Sequence, residues 1–360
     1  MSLAVQSLLR LRLPMATASK SPFFLSQRTE HSRWSRLFVG LLAAALSAGV
    51  FGAVASIPLL VLLPDLDAVL EEVATAPRDV LATLLLVGGL FWSAAIAANR
   101  VHRRPLRSLL APAQPFRWGV VGKVLVLLAI GTLLSFVVSE IGLRISSTGS
   151  GDRQISFTGL RVSHVVWVIP IALATLVQTS GEDAFFKGLL LREIGAITRV
   201  FWFAPLLVAA VFTSLHIPNP DVQQDLVLIL SAFLVSELVI IGLILVTGGM
   251  EIALTMHWVN NMVVFLLFAE EGTQANELTL FVTQQVAGEE AKLVTVWGVV
   301  GWATLLAVVA AGVLVERSPF YVERFTYSSP PETLGDDLVS TEEVNSRTND
   351  SFKPETLHCS

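Results

Sequence analysis

The segment GEDAFFKG, residues 181–188, puts Glu182, Asp183 and Lys187 within six positions, directly after VVWVIPIALATLVQ, a run without a single charge. Two further clusters follow in the chain. FTSLH ends on His216, four residues after Phe212, and HWVNN carries His257 and Asn261, also four apart. A lone acid, Glu237, sits between them in LVSELVI.

On an α-helix, residues four apart share a face. His257 and Asn261 therefore point an imidazole and an amide into the same space, and Phe212 backs His216. Successive residues diverge by about 100°. Glu182 and Asp183 are accordingly expected not to aim at one point: Glu182 shares its face with Phe186, and Asp183 shares the next with Lys187, at a spacing suited to an ion pair. One carboxylate is offered to the interior while the other is neutralised. Glu237 has no local partner and is expected either to hold a proton or to face a cavity.

These residue types suit hydrolysis. A glutamate can take a proton from an attacking water, and Asn261 could donate to the developing oxyanion. His216, His257 and Glu182 also form a donor set of the kind that binds zinc, which would polarise a carbonyl or activate water. Each group has a plainer reading as well. Histidines inside a membrane commonly act as interhelical hydrogen-bond glue, Asp183–Lys187 can be a purely structural pair, and Gly248–Gly249 reads as a helix stop.

The surrounding chain explains why these groups stand out. Of 360 residues, 53% are hydrophobic and only 15% charged, with a mean hydropathy of +0.68, where soluble domains run nearer about 25% charged. The composition is that of an all-α, polytopic transmembrane helix bundle. A net charge of −5 and the absence of basic–aromatic clusters exclude a nucleic-acid partner. The only cysteine, Cys359, rules out a disulfide framework or a thiolate metal cluster.

A span needs about 20 apolar residues, and eight stretches qualify: about 37–63, 80–99, 118–139, 163–192, 200–217, 226–247, 251–269 and 293–315. Three regions follow: a basic tail (1–36), the bundle (37–315) and a polar C-terminal tail (316–360) expected to be disordered. Residues 1–29 are basic and free of acids, read as a cytoplasmic tail with an organellar transit peptide as the alternative. Arg10, Arg12, Lys20, Arg28, Arg33 and Arg36 precede the first span, and Arg100, Arg103, Arg104, Arg107 and Arg117 follow the second. The positive-inside rule then places both termini in the cytoplasm, of a protein expected in the plasma membrane.

EDAFFKG, FTSLH and HWVNN occur in the order of the three motifs of the CPBP family, which this chain resembles over about 163–270. That family comprises type II CAAX prenyl endopeptidases and bacteriocin-processing or self-immunity membrane proteases. The resemblance implies that Glu182 is the base activating water, and that His216, His257 and Asn261 complete a water or metal site and stabilise the oxyanion. Zinc is the cofactor it suggests. Asp183 stands where the family has a second glutamate, and Lys187 where it has an arginine. A lysine cannot reproduce the bidentate guanidinium fork. The implied substrate is a membrane-associated protein or peptide, prenylated in one branch of the family.

Two alternatives stand beside an endopeptidase: a catalytically inactive scaffold, for which Asp183 and Lys187 argue, and an ion- or proton-coupled transporter. Against the transporter, the halves show no matching repeats or broken helices. Depth poses a separate puzzle. At about 1.5 Å per residue, Glu182 and His216 lie about 18 and 24 Å from their shared turn, but His257 only about 10 Å past Met250.

Overall fold

The computed structural model describes residues 23–24, 33–62, 77–146, 155–158, 162–198, 200–217, 225–270, 278–283 and 289–326. Within these, Leu, Val, Ala and Ile runs uninterrupted by charge fold into helices. α1 is Trp34–Leu62, α2 Pro77–Gly88, α3 Leu90–Ile96, α4 Trp118–Ser146, α5 Val162–Asp183 and α6 Leu191–Ile197. They are followed by α7 Phe203–Ser214, α8 Leu226–Thr247, α9 Glu251–Met262 and α10 Glu289–Leu314. A three-stranded sheet of three-residue strands, β1 Ile155–Phe157, β2 Phe268–Glu270 and β3 Phe281–Thr283, ties two interhelical loops together in the order β1-β3-β2. In it Ile155 pairs with Thr283 and Phe268 with Phe281.

Six segments are long and apolar enough to cross a membrane: Trp34–Phe51, Val80–Val101, Trp118–Ser146, His164–Ile197, Leu226–Thr247 and Lys292–Leu314. Large apolar side chains on them, Phe38, Val50, Leu133 and Ile169 among them, stay exposed, as lipid-facing helices require. The chain is an integral membrane protein. Two of the eight stretches expected to span fall short, Phe203–Ser214 and Glu251–Leu267. A 12-residue helix reaches only about 18 Å, against a hydrocarbon core of about 30 Å. These short elements carry His216 and His257, so depths reckoned along full spans do not apply to them.

Small residues let the long helices approach. Gly301 on α10 faces Ser135 and Ser139 of α4, whose Ser139 hydroxyl donates to the Trp297 carbonyl at 2.8 Å. The main core joins α4, residues 186–194, α7, α8, α9 and α10 and takes in Phe23 and Phe24, both buried although they belong to the expected basic tail. At the other end, residues 316–325 pack onto the bundle rather than leaving it: Lys123 donates to the Tyr321 carbonyl at 2.8 Å, and the Phe325 amide to Val246 at 2.7 Å. The remainder of both tails, 1–22, 25–32 and 327–360, lies outside the described residues, as does most of the loop at 147–161.

Candidate active site

Glu182 and Asp183 close the α-helical part of α5, and the next seven residues, Ala184–Leu190, form a π-helix. Its widened turn is marked by the Leu191 amide, which bonds the Phe186 carbonyl five residues back. Such turns are rare and concentrate at functional sites. Gly188 makes this turn possible, because a Cβ there would collide with the Leu109 backbone carbonyl of the preceding loop. The acidic pair is thereby fixed at a break in the helix, where Asp183 and Lys187 are both fully buried.

His257 meets both acids. Its Nε2 lies 3.3 Å from Glu182 Oε2, and its Nδ1 lies 3.2 Å from Asp183 Oδ1. This overturns the expectation that adjacent carboxylates cannot converge. The two nitrogens sit on different edges of one ring, so a target wedged between the side chains spans their divergence. A carboxylate only accepts, and a ring donating to both acids carries a proton on each nitrogen.

Lys187 continues the chain of contacts. Nζ is 2.7 Å from Asp183 Oδ1 and 3.1 Å from Glu237 Oε2, and it lies 4.6 Å above the centre of the Phe212 ring. Glu237 therefore has a partner 50 positions away in sequence, which local spacing could not reveal. Five groups alternate from α5 through α9 to α8: Glu182, His257, Asp183, Lys187 and Glu237.

The histidine of α7 approaches from another side. The last turn of α7 tightens, with the His216 amide bonded to the Thr213 carbonyl, and the His216 Nδ1 lies 2.9 Å from the Phe212 carbonyl. Since a carbonyl only accepts, Nδ1 is the donor, and in the neutral ring Nε2 keeps its lone pair. Phe212 separates the two imidazoles, 4.9 Å from His216 and edge-on to His257 at 5.9 Å between ring centres.

These side chains surround a cavity of about 80 Å³, lined by Phe212, His216, Glu237, His257, Asn260 and Asn261 together with Phe233 and Trp302. At about 30 Å³ per water it has room for two molecules. Glu182 does not line it and reaches it through His257. Asn261 donates to Gln178 Oε1 at 2.9 Å, which ties its amide to α5 one turn before Glu182. His216, His257 and Asn261 thus share one wall-lined space, with Glu182 bonded to its edge.

The expected zinc set of His216, His257 and Glu182 is not gathered into a ligand group in this arrangement. Among the described residues no group of three His, Cys, Asp or Glu side chains is placed to hold a metal ion. Both His257 nitrogens already face carboxylates, and His216 turns Nδ1 back to its own helix.

Several supporting residues were not evident from the local motifs. Gln178 ends the charge-free run, and its position four residues before Glu182 was the available clue. A larger omission is the strap formed by residues 102–117. Its His102 and Arg104 reach Glu193 at 3.1 and 2.5 Å, and Arg192 donates to the Ser108 carbonyl, gripping α6. Its other end grips α9, where Arg117 donates to Glu251 through its backbone amide, Nε and Nη2 at 2.9–3.1 Å. Arg104 and Arg117, which signal orientation in the sequence, thus also pin α6, the helix that follows the acidic pair, and α9, which carries His257. Gly248, at φ +72, makes the left-handed turn that launches α9, as the helix stop implied.

Comparison with known proteins agrees with the motif order. Residues 164–263 match the family model described as type II CAAX prenyl endopeptidase Rce1-like. The protein YyaK of Bacillus subtilis (strain 168), described as uncharacterized, is 27% identical over 184 residues, 49% of this chain and 57% of that protein. The chain spans little more than half the length of this curated relative. No solved structure matches it.

Proposed function

We propose that this chain is an intramembrane endopeptidase that hydrolyses a peptide bond in a membrane-associated protein or peptide, with Glu182 as the base that activates water. The observation that carries the reading is the junction of Glu182 with His257 at 3.3 Å, beside a partly polar cavity lined by His216, His257 and Asn261. A water there can give a proton to Glu182 while its oxygen attacks the carbonyl carbon. The Asn261 amide, positioned by Gln178, is the donor available to the oxyanion. His216, whose Nε2 can accept, steadies the water from the opposite wall. No metal takes part in this scheme.

Asp183 and Lys187 support rather than replace the family arrangement. Asp183 keeps its carboxylate on His257, and Lys187 supplies one cation to two acids where a guanidinium would supply a fork. The substrate class we favour is a prenylated peptide with a C-terminal CAAX sequence, and the orientation we propose, on the basic flanks of the first two spans, has both termini in the cytoplasm.

The test is release of the C-terminal fragment from a farnesylated CAAX peptide by purified protein in lipid vesicles, read by mass spectrometry. His216→Ala and Asn261→Ala should each lower the rate by at least about 100-fold. Full-rate release by both variants would remove the cavity from the mechanism.

A further inference from the structure

We infer that Glu237 is a second acid–base residue of this site, the group that hands a proton to the nitrogen of the leaving amine. The inference rests on the hydrolytic reading above and extends it to a residue outside the three motifs.

Position is the first argument. Glu237 lines the cavity together with His216, His257 and Asn261, yet it comes from α8, a helix that contributes to none of the motifs. It stands at the far end of the alternating series from Glu182. The base and the acid would then sit at opposite ends of one connected set, linked through His257, Asp183 and Lys187.

Charge is the second. Three carboxyl groups, Glu182, Asp183 and Glu237, are interleaved with one obligate cation, Lys187, and one imidazole, His257. With the imidazole protonated the set still carries one negative charge in excess. An uncompensated charge in this setting costs several kcal/mol, and a bound proton removes that cost. Asp183 is a poor place for the proton, because its Oδ1 already accepts from both Lys187 and His257, although its Oδ2 has no hydrogen-bond partner among the described residues. Glu182 must remain free to accept from water. Glu237 has an ion-pair distance of 3.1 Å to Lys187, but its Oε2 makes no hydrogen bond among the described residues, although the side chain is nine-tenths buried. It is the one of the three acids that lines the cavity.

The groups facing Glu237 are Lys187 and Asp183 from the α5 side, His216 from α7 and His257 from α9, while α10 presents the uncharged Trp302. The step balances as follows. The C–O bond forms as a water O–H proton passes to Glu182. The C–N bond then breaks as the Glu237 proton passes to nitrogen, leaving a carboxylate 3.1 Å from the Lys187 ammonium. Exchange with water in the cavity moves the proton held by Glu182 back to Glu237, so no proton is consumed.

A peptide nitrogen cannot depart without a proton, whereas a phenolate can. The experiment therefore compares two probes in vesicles: the farnesylated CAAX peptide, and the same acyl portion with an aryl ester in place of the scissile amide. Glu237→Gln keeps the shape of the side chain and removes its dissociable proton. We expect it to lower amide hydrolysis by about 100-fold and ester hydrolysis by less than about threefold. Equal losses on both probes would mean a structural role and overturn the inference, as would no loss on either. If wild type cleaves neither probe, the hydrolytic reading itself fails, a separate outcome. Should Glu237→Gln unfold, Glu237→Asp serves instead: it retains an acid with shorter reach and should still slow the amide more than the ester, with parallel losses counting against the proposal.

Discussion

Replacing Lys187 by methionine keeps the length of the side chain and deletes the only obligate cation among three acids. Nζ lies 2.7 Å from Asp183 and 3.1 Å from Glu237, and the lysine side chain is 1% exposed. Removing one partner of a buried pair costs about 3–5 kcal/mol. The second carboxylate adds little, because its contact with Lys187 is longer, 3.1 Å against 2.7 Å. About 3–5 kcal/mol is therefore the expected loss, a large part of a total stability of about 5–15 kcal/mol. Neutralising the whole group should undo most of it, since an intact buried charge set is often no better than a neutral one of the same shape. In Asp183→Asn/Lys187→Met/Glu237→Gln, the asparagine oxygen still accepts from His257. Equilibrium unfolding in detergent, followed by tryptophan fluorescence, measures both variants. A Lys187→Met cost under about 1 kcal/mol, the value of a solvated pair, would refute the reasoning. So would a triple variant no more stable than the single.

Arg117→Ala strips two side-chain hydrogen bonds from the buried Glu251, leaving that of the backbone amide, and should cost about 2–4 kcal/mol, of which Arg117→Ala/Glu251→Gln recovers a measurable share in the same unfolding assay. Gly188→Ala drives a methyl group into the Leu109 carbonyl and should destabilise by about 1–3 kcal/mol, seen as a lower unfolding midpoint and less monomer on size exclusion. Gln178→Leu releases the Asn261 amide and should lower kcat about tenfold with KM little changed, the pattern of an interaction made in the transition state. Prolonged chelation should leave the rate within about twofold, with no gain on adding zinc, because the donors are already committed to one another; activity restored only by zinc would show that they rearrange.

The sequence reading reached furthest where interactions are local. Asp183 and Lys187 are four apart, and the ion pair expected from that spacing is present at 2.7 Å. Phe212 stacks near His216 for the same reason. It failed where geometry depends on a target from another helix. The divergence of Glu182 and Asp183 is real along α5, but His257 spans it with two nitrogens, a fact that belongs to α9. Glu237 lacked a partner only within its own segment. Hydropathy records that 200–217 and 251–269 are apolar, whereas the length of helix they form depends on where the chain turns, and it leaves α7 at Ser214. The residues of the 102–117 strap were legible as positive charge; that His102, Arg104 and Arg117 also meet buried glutamates is a long-range pairing that composition does not encode.

The central claim is that Glu182 activates the water that cuts the substrate. It is tested most directly by the single-turnover rate of amide cleavage for Glu182→Gln in vesicles, alongside its unfolding midpoint. The amide still accepts from His257, so the fold should survive while cleavage falls by at least about 1,000-fold. Cleavage within about threefold of wild type, by a protein folded to the same midpoint, would contradict the account.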